Sequence, residues 1–185
     1  SEVQEDLEDQ ATTVNRLKKE LSELQGDLST ILGKSYNAKD IEEAVDFASK
    51  KTGVPKRFPI GVLKVETNRG TDGDACNPRG YVGTGGAMGV AQFRPDTWMG
   101  YKSAVTSATG HRPPSPWNLT DGVMAMALKL DRIPGVDQGN RSAWKKAAAA
   151  YLGTSYAPYI NGILYWADNY KKLLYIDFYK TKIKN

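Results

Sequence analysis

Apolar residues recur through the first thirty positions as Val3, Leu7, Val14, Leu17, Leu21, Leu24, Leu28 and Ile31, in steps of four and three with Gln10 filling the remaining slot. The steps make a heptad seam, with Leu7, Val14, Leu21 and Leu28 at one core position and Val3, Gln10, Leu17, Leu24 and Ile31 at the other. The pattern predicts a coiled-coil helix over 1–34, closed by Gly33, Lys34 and Ser35. So narrow a stripe needs a partner: the same segment of a second chain, an antiparallel helix from elsewhere, or a face of its own domain.

Past this boundary the apolar positions widen into faces of ordinary helices. Asn37 can cap a helix with Asp40, Glu42 and Glu43 near its start and Ile41, Ala44, Val45, Phe47 and Ala48 inward. Pro55 or Pro59 can open the next, which carries Ile60, Leu63, Lys64 and, in its last turn, Glu66, with Asn68 and Gly70 as its stop. Further helices are predicted over 88–102, interrupted by Pro95, and over 118–132, capped by Asn118 or Thr120. Two more are predicted over 141–152 and 158–176, the latter opened by Pro158. No alternating strand pattern runs longer than a few residues, so the fold class is mainly α, with a coiled-coil helix (1–34) preceding a folded domain (35–185).

Composition sharpens this only in part. With 40% hydrophobic residues in 185, the body has material for one core, and no apolar run is long enough for a membrane span. Ser1 opens directly in the polar heptads, so the signal segment of an exported protein would lie outside this chain. Residues 1–34 hold eight acidic and four basic side chains, which leaves a net +8 on the remainder of a chain of net +4. A basic body suits a polyanionic partner: nucleic acid, an anionic membrane or a cell-wall polymer. Its lysines and arginines are scattered rather than striped along one helix, which argues against nucleic acid. The single Cys76 excludes an intrachain disulfide, and a catalytic thiol would have to recruit the one histidine, His111; Cys76 is read as structural or incidental.

The chemistry concentrates between Glu66 and Trp98. A glutamate closing an apolar helix faces the negative end of the helix dipole, and partial burial adds to the cost of its charge. Both effects keep a carboxyl protonated, as an acid that donates to a departing sugar oxygen must be. A plain helix-end ion pair with Lys64 or Arg69 is the competing role. A long glycine-rich loop follows over 70–89, with Asp72, Asp74 and Asn77 and six glycines from Gly73 to Gly89; loops of that length usually serve a site. Gly86 to Trp98, "GAMGVAQFRPDTW", then joins small residues that let a ligand approach the backbone to Gln92, Phe93, Pro95 and Trp98.

Glu66-Thr67, Gly86-Ala87-Met88-Gly89, Gln92-Phe93, Pro95 and Thr97-Trp98 together resemble the soluble and membrane-bound type B lytic transglycosylases, which have a lysozyme-like α domain and cut bacterial peptidoglycan. Pro116 to Leu130 and Ala147 to Gly153 resemble two further family elements, so the likeness covers roughly residues 38–175. The chain departs from the family in Leu152, where an asparagine is usual, in Thr67 beside the glutamate, and in the extra aromatics Tyr156 and Tyr159.

The resemblance implies a single-carboxylate reaction without cofactor or metal on peptidoglycan glycan strands outside the cytoplasm. Glu66 would be the acid and then the base, with Gly86, Met88, Gly89 and Gln92 against the sugar or its acetamido group. Tyr151 would give its hydroxyl to the acetamido group or to Glu66, with Thr67 beside it, and Phe93, Trp98 and Tyr81 would offer stacking faces or fill the core. Two alternatives remain open: a goose-type lysozyme-like hydrolase recruiting Asp72 or Asp74 to activate water, and an inactive glycan-binding module. Asp72 and Asp74 can also be read as the start of a calcium loop, which Cys76 interrupts.

Overall fold

The computed structural model describes residues 1–31, 36, 38–68 and 84–174, apart from the side chains of 22–31, 67, 68 and 84. Of these residues 74% are helical and none forms a strand, so the fold is mainly α. Among the described residues the α-helices are, in order, α1 (Glu2–Ile31), α2 (Ala38–Thr52), α3 (Arg57–Asn68), α4 (Pro95–Thr109), α5 (Leu119–Asp131), α6 (Arg141–Leu152) and α7 (Ala157–Asp168), with a 3-10 turn at Thr84–Gly86 between α3 and α4.

The centre of the body is α5. Its sequence, Leu-Thr-Asp-Gly-Val-Met-Ala-Met-Ala-Leu-Lys-Leu-Asp, is apolar on nearly every side, and nine of its residues from Leu119 to Leu130 are buried. A helix apolar all round belongs inside a protein, and α5 is wrapped by α2, α4, α6 and α3. Asn118 caps it by accepting a hydrogen bond from the Asp121 N–H. Asp121, almost fully buried, in turn accepts from the Ser115 N–H at 3.0 Å and pairs with His111 Nδ1 at 2.7 Å. One carboxylate in the first turn thus ties the 111–117 loop to the core.

α3 is fixed from two sides. Phe58 stacks face to face on Trp144 of α6, with ring centroids 4.7 Å apart, and the Trp144 indole N–H donates to the Val136 carbonyl. Further along, Gly61 lies so close to α7 that a Cβ there would strike the Ile163 carbonyl oxygen and the Ala167 amide nitrogen. Gly162 meets Val65 from the opposite helix. This close crossing of α3 and α7 sets where the last turn of α3, and with it Glu66, emerges.

Two boundaries differ from the sequence pattern. The helix predicted over 88–102 runs instead over Pro95–Thr109. Gly89 and Gln92 hold positive φ angles of 69° and 53° that no α-helix accommodates, and Met88 and Phe93 bridge across them. Arg94, extended as residues before proline are, hands over to Pro95, and the helix continues until Gly110 takes the left-handed cap. The helix predicted over 158–176 breaks at Asn169, whose backbone and side-chain N–H groups both donate to the Tyr165 carbonyl; a short helical segment follows over 170–174.

α1 keeps its seam in solvent. Val3, Leu7, Val14, Leu17 and Leu21 are between 47% and 70% exposed, so the stripe is not folded onto its own domain. Gly33, Lys34 and Ser35 lie outside the described residues.

Candidate functional site around Glu66

Glu66 is half-buried in the last turn of α3 and lines a cavity of about 180 Å³. The other lining residues among those described are Val65, Leu152, Thr154 and Tyr159. That volume is far more than one water requires. A larger cavity of about 510 Å³ lies elsewhere, between Glu20 of α1, Met88, Trp98, Met99, Lys102 and the Pro113–Trp117 segment, so Met88, expected against the sugar beside Glu66, lines this cavity instead. Its lining is mostly apolar and proline-rich, and its one carboxylate belongs to the α1 arm; the smaller cavity, whose acid closes an apolar helix of the body, is the chemical candidate.

The residues after the glycine-rich loop form a scaffold tied to α6, the helix that ends at the cavity-lining Leu152. Met88 and Phe93 exchange backbone hydrogen bonds at 2.8 and 3.2 Å, closing a tight turn over Gly89 to Gln92. Gly89 is required there twice over, by its positive φ and because a Cβ would collide with the Pro116 carbonyl. The Gln92 side-chain amide folds back and donates to the Gly89 carbonyl at 2.7 Å, with its oxygen buried. Gly86 ends the short 3-10 turn Thr84–Gly86, also with positive φ.

Tyr151 joins this turn to α6 by donating its hydroxyl to the Ala91 carbonyl. A phenol has one proton to give, and here it goes to the backbone, whereas the sequence resemblance implied Glu66 or the acetamido group as its acceptor. Of the two roles open to Phe93 and Trp98, sugar stacking or core filling, the structure has core filling: they are 3% and 5% exposed. Phe93 is the hub of an edge-to-face cluster with Trp98, Tyr101 and Tyr151 at centroid distances of 5.9, 5.5 and 6.0 Å. Such a cluster supplies rigidity behind the site.

The cation of the site was not foreseen. Lys129, in the last turn of α5, holds its ammonium 4.7 Å from the Tyr151 ring centre and 5.7 Å from that of Phe93. Burial lowers its pKa, the Glu66 charge pulls it back up, and Arg132 lowers it again. Tyr151 is driven well above the usual phenol range, first by burial, then by the Glu66 charge and by Tyr101. Glu66, Lys129 and Tyr151 therefore feel one another's charge, and the lysine works against the dipole of α3 by favouring the carboxylate. A lone lysine in an otherwise buried helix was the available sequence signal.

Thr67 belongs to α3, but its side chain lies outside the described residues, as do Tyr81, Asp72, Asp74 and Cys76. Leu152 forms part of the cavity wall, giving an apolar surface where the resembled family has an amide. His111, the one candidate partner for a catalytic thiol, is engaged with Asp121. Among the described residues no three His, Cys, Asp or Glu side chains gather as a metal set, and no helix is long and apolar enough to cross a membrane. Comparison with protein-family models, curated proteins and solved structures finds no match for this chain.

Proposed function

We propose that this chain is an extracytoplasmic peptidoglycan lytic transglycosylase with a lysozyme-like domain, in which Glu66 alone serves as acid and base. The observation that carries the reading is a half-buried carboxylate at the end of an apolar helix, opening on a cavity and flanked by a lysine and a tyrosine. The resemblance at Glu66-Thr67 and from Gly86 to Trp98 supplies the substrate.

Glu66 protonates the oxygen linking N-acetylmuramic acid to N-acetylglucosamine, and the bond from that oxygen to the anomeric carbon breaks. The substrate's acetamido oxygen stabilises the cationic carbon. The Glu66 carboxylate then takes the proton of the muramic C6 hydroxyl as that oxygen bonds to the anomeric carbon, closing a 1,6-anhydro ring. Water is not consumed, and Glu66 ends protonated as it began. Lys129 favours the carboxylate that forms between the two proton transfers. The turn from Gly89 to Gln92 is held by Tyr151, the chain neighbour of the cavity-lining Leu152.

Two-carboxylate glycosidases need a second acid at about 5–5.5 Å or about 6.5–9.5 Å. Among the described residues lining this cavity Glu66 is the one carboxylate. Incubation with purified peptidoglycan sacculi and mass spectrometry of the released fragments tests the reading. Anhydro-muramic ends are expected; reducing ends would indicate a hydrolase, and binding without release a glycan-binding module. Glu66→Gln, equal in shape and unable to deliver a proton, is expected to abolish release by at least a hundredfold while leaving the fold intact.

A further inference from the structure

Two partly exposed aromatic rings pack together where α7 begins, one of them lining the Glu66 cavity. Tyr156 and Tyr159 are 55% and 40% exposed and pack edge to face, with centroids 4.9 Å apart. Tyr159 also lines the cavity together with Glu66 and Thr154. Neither phenol hydroxyl has a hydrogen-bond partner among the described residues.

Their position is fixed by the backbone. Gly153 ends α6 in the left-handed conformation and donates to the Ala149 carbonyl. The Thr154 hydroxyl then accepts the Tyr156 N–H at 3.1 Å, and Pro158 opens α7. Tyr156 at the cap and Tyr159 three residues on therefore share one face of the first turn. The pair contributes little to the core, and a tyrosine with only two side-chain torsions loses little entropy when a ligand covers it.

We propose that Tyr156 and Tyr159 form a saccharide-stacking platform, a subsite for an N-acetylhexosamine ring of the same glycan strand adjoining the bond that Glu66 attacks; this rests on the function proposed above. The apolar C–H face of a pyranose matches an aromatic ring, and its rim of hydroxyls matches the free phenols. Leu152 and Val65 extend the apolar surface into the cavity, so one strand can contact the platform and the acid at once.

The test uses the full chain carrying Glu66→Gln, which leaves the strand uncut, and soluble uncrosslinked glycan strands titrated by calorimetry. Adding Tyr159→Ala is expected to weaken binding about tenfold, the effect of roughly 1.4 kcal/mol. Tyr156→Ala should weaken it several-fold, and Tyr159→Phe, which keeps the ring, should restore most of the affinity. With Glu66 intact, Tyr159→Ala should raise KM more than it lowers kcat. Both positions are exposed, so an unchanged Tm checks that the fold is retained. Equal affinity of Tyr159→Ala and its Glu66→Gln parent would overturn the platform while leaving the enzyme reading in place. A parent that binds no strand, with no fragments released by the native chain, would overturn both.

Discussion

Gly89 is a single residue on which the geometry of the site depends. Its φ of 69° and the absence of any space toward the Pro116 carbonyl mean that Gly89→Ala introduces backbone strain and a collision together. We expect a loss of about 3 kcal/mol or more, read as a lowered denaturant midpoint, with activity falling because the Met88–Phe93 bridge is displaced. Gly86-Ala87-Met88-Gly89 was legible as a close-approach motif, but which neighbour approaches was not: Pro116 arrives from a loop 27 positions away, and no local pattern reports that. Gln92 was legible as polar and near a site, yet its left-handed backbone and its bond to Gly89 follow from the bridge around it. Lys129 shows the same limit, since its meaning comes from Glu66 on another helix. Replacing it by Met keeps the stem against Phe93 and Tyr151 and removes the charge that favours the Glu66 carboxylate. The pKa of Glu66 should therefore rise, keeping the acid protonated to higher pH. The alkaline limb of the kcat/KM profile is expected to move to higher pH; an unmoved limb would remove Lys129 from the acid's environment.

At the scale of elements, the helices whose ends carry explicit chemistry were readable and the others were not. Asn118 and Asn140 cap α5 and α6 through their side chains, Pro158 opens α7, and Gly153 closes α6; these boundaries fall within a residue or two of the pattern. The segment before Pro95 was misread because its small and apolar residues suit a helix locally, whereas two positive φ angles and the bridge demand a turn. The break at Asn169 was hidden for a similar reason, since an asparagine only ends a helix when its amide reaches back to a carbonyl. Between elements, Arg141 at the start of α6 grips Asp168 at the end of α7 with two parallel hydrogen bonds of 2.9 and 2.7 Å. The Arg141 side chain beside it holds the Asp168 carboxyl below its ordinary value. A depressed carboxylate stabilises the fold above its unfolded pKa and loses that contribution as pH falls through its folded one. The clamp is therefore intact at neutral pH and weakens as pH falls below the usual carboxylate value. Both side chains are well exposed, so Asp168→Asn should cost no more than about 1 kcal/mol at pH 7. The cost should shrink in high salt and fade as pH drops below the ordinary carboxylate range, checked by denaturation of the two proteins side by side.

Over the whole molecule the unresolved economy of surface is in α1. A thirty-residue helix that exposes five seam residues from Val3 to Leu21 leaves apolar area in water that a partner helix would cover, at about 1.5–3 kcal/mol for each large side chain fully buried. Its charge separates the two candidate partners. The arm carries a net −4 and the body +8, so an arm lying against the body of another copy would be held by opposite charges and loosened by salt. Arms that pair with one another bring like charges together, and salt would tighten them. The continuous seam, with Leu, Val or Ile at every core slot but Gln10, fits pairing of arms. We therefore expect the chain to sediment above the mass of one copy at tens of micromolar and to dissociate on dilution, with a dissociation constant that falls as salt rises from 0.05 to 0.5 M. Removal of residues 1–34, or Leu17→Asp with Leu21→Asp, should give one-chain mass at every concentration while the helical body keeps its Tm. Association that weakens with salt would instead assign the arm to the basic body. A constant one-chain mass for the full protein would show that the stripe is covered by a different molecule, and the cleavage of sacculi by Glu66 would then be independent of α1.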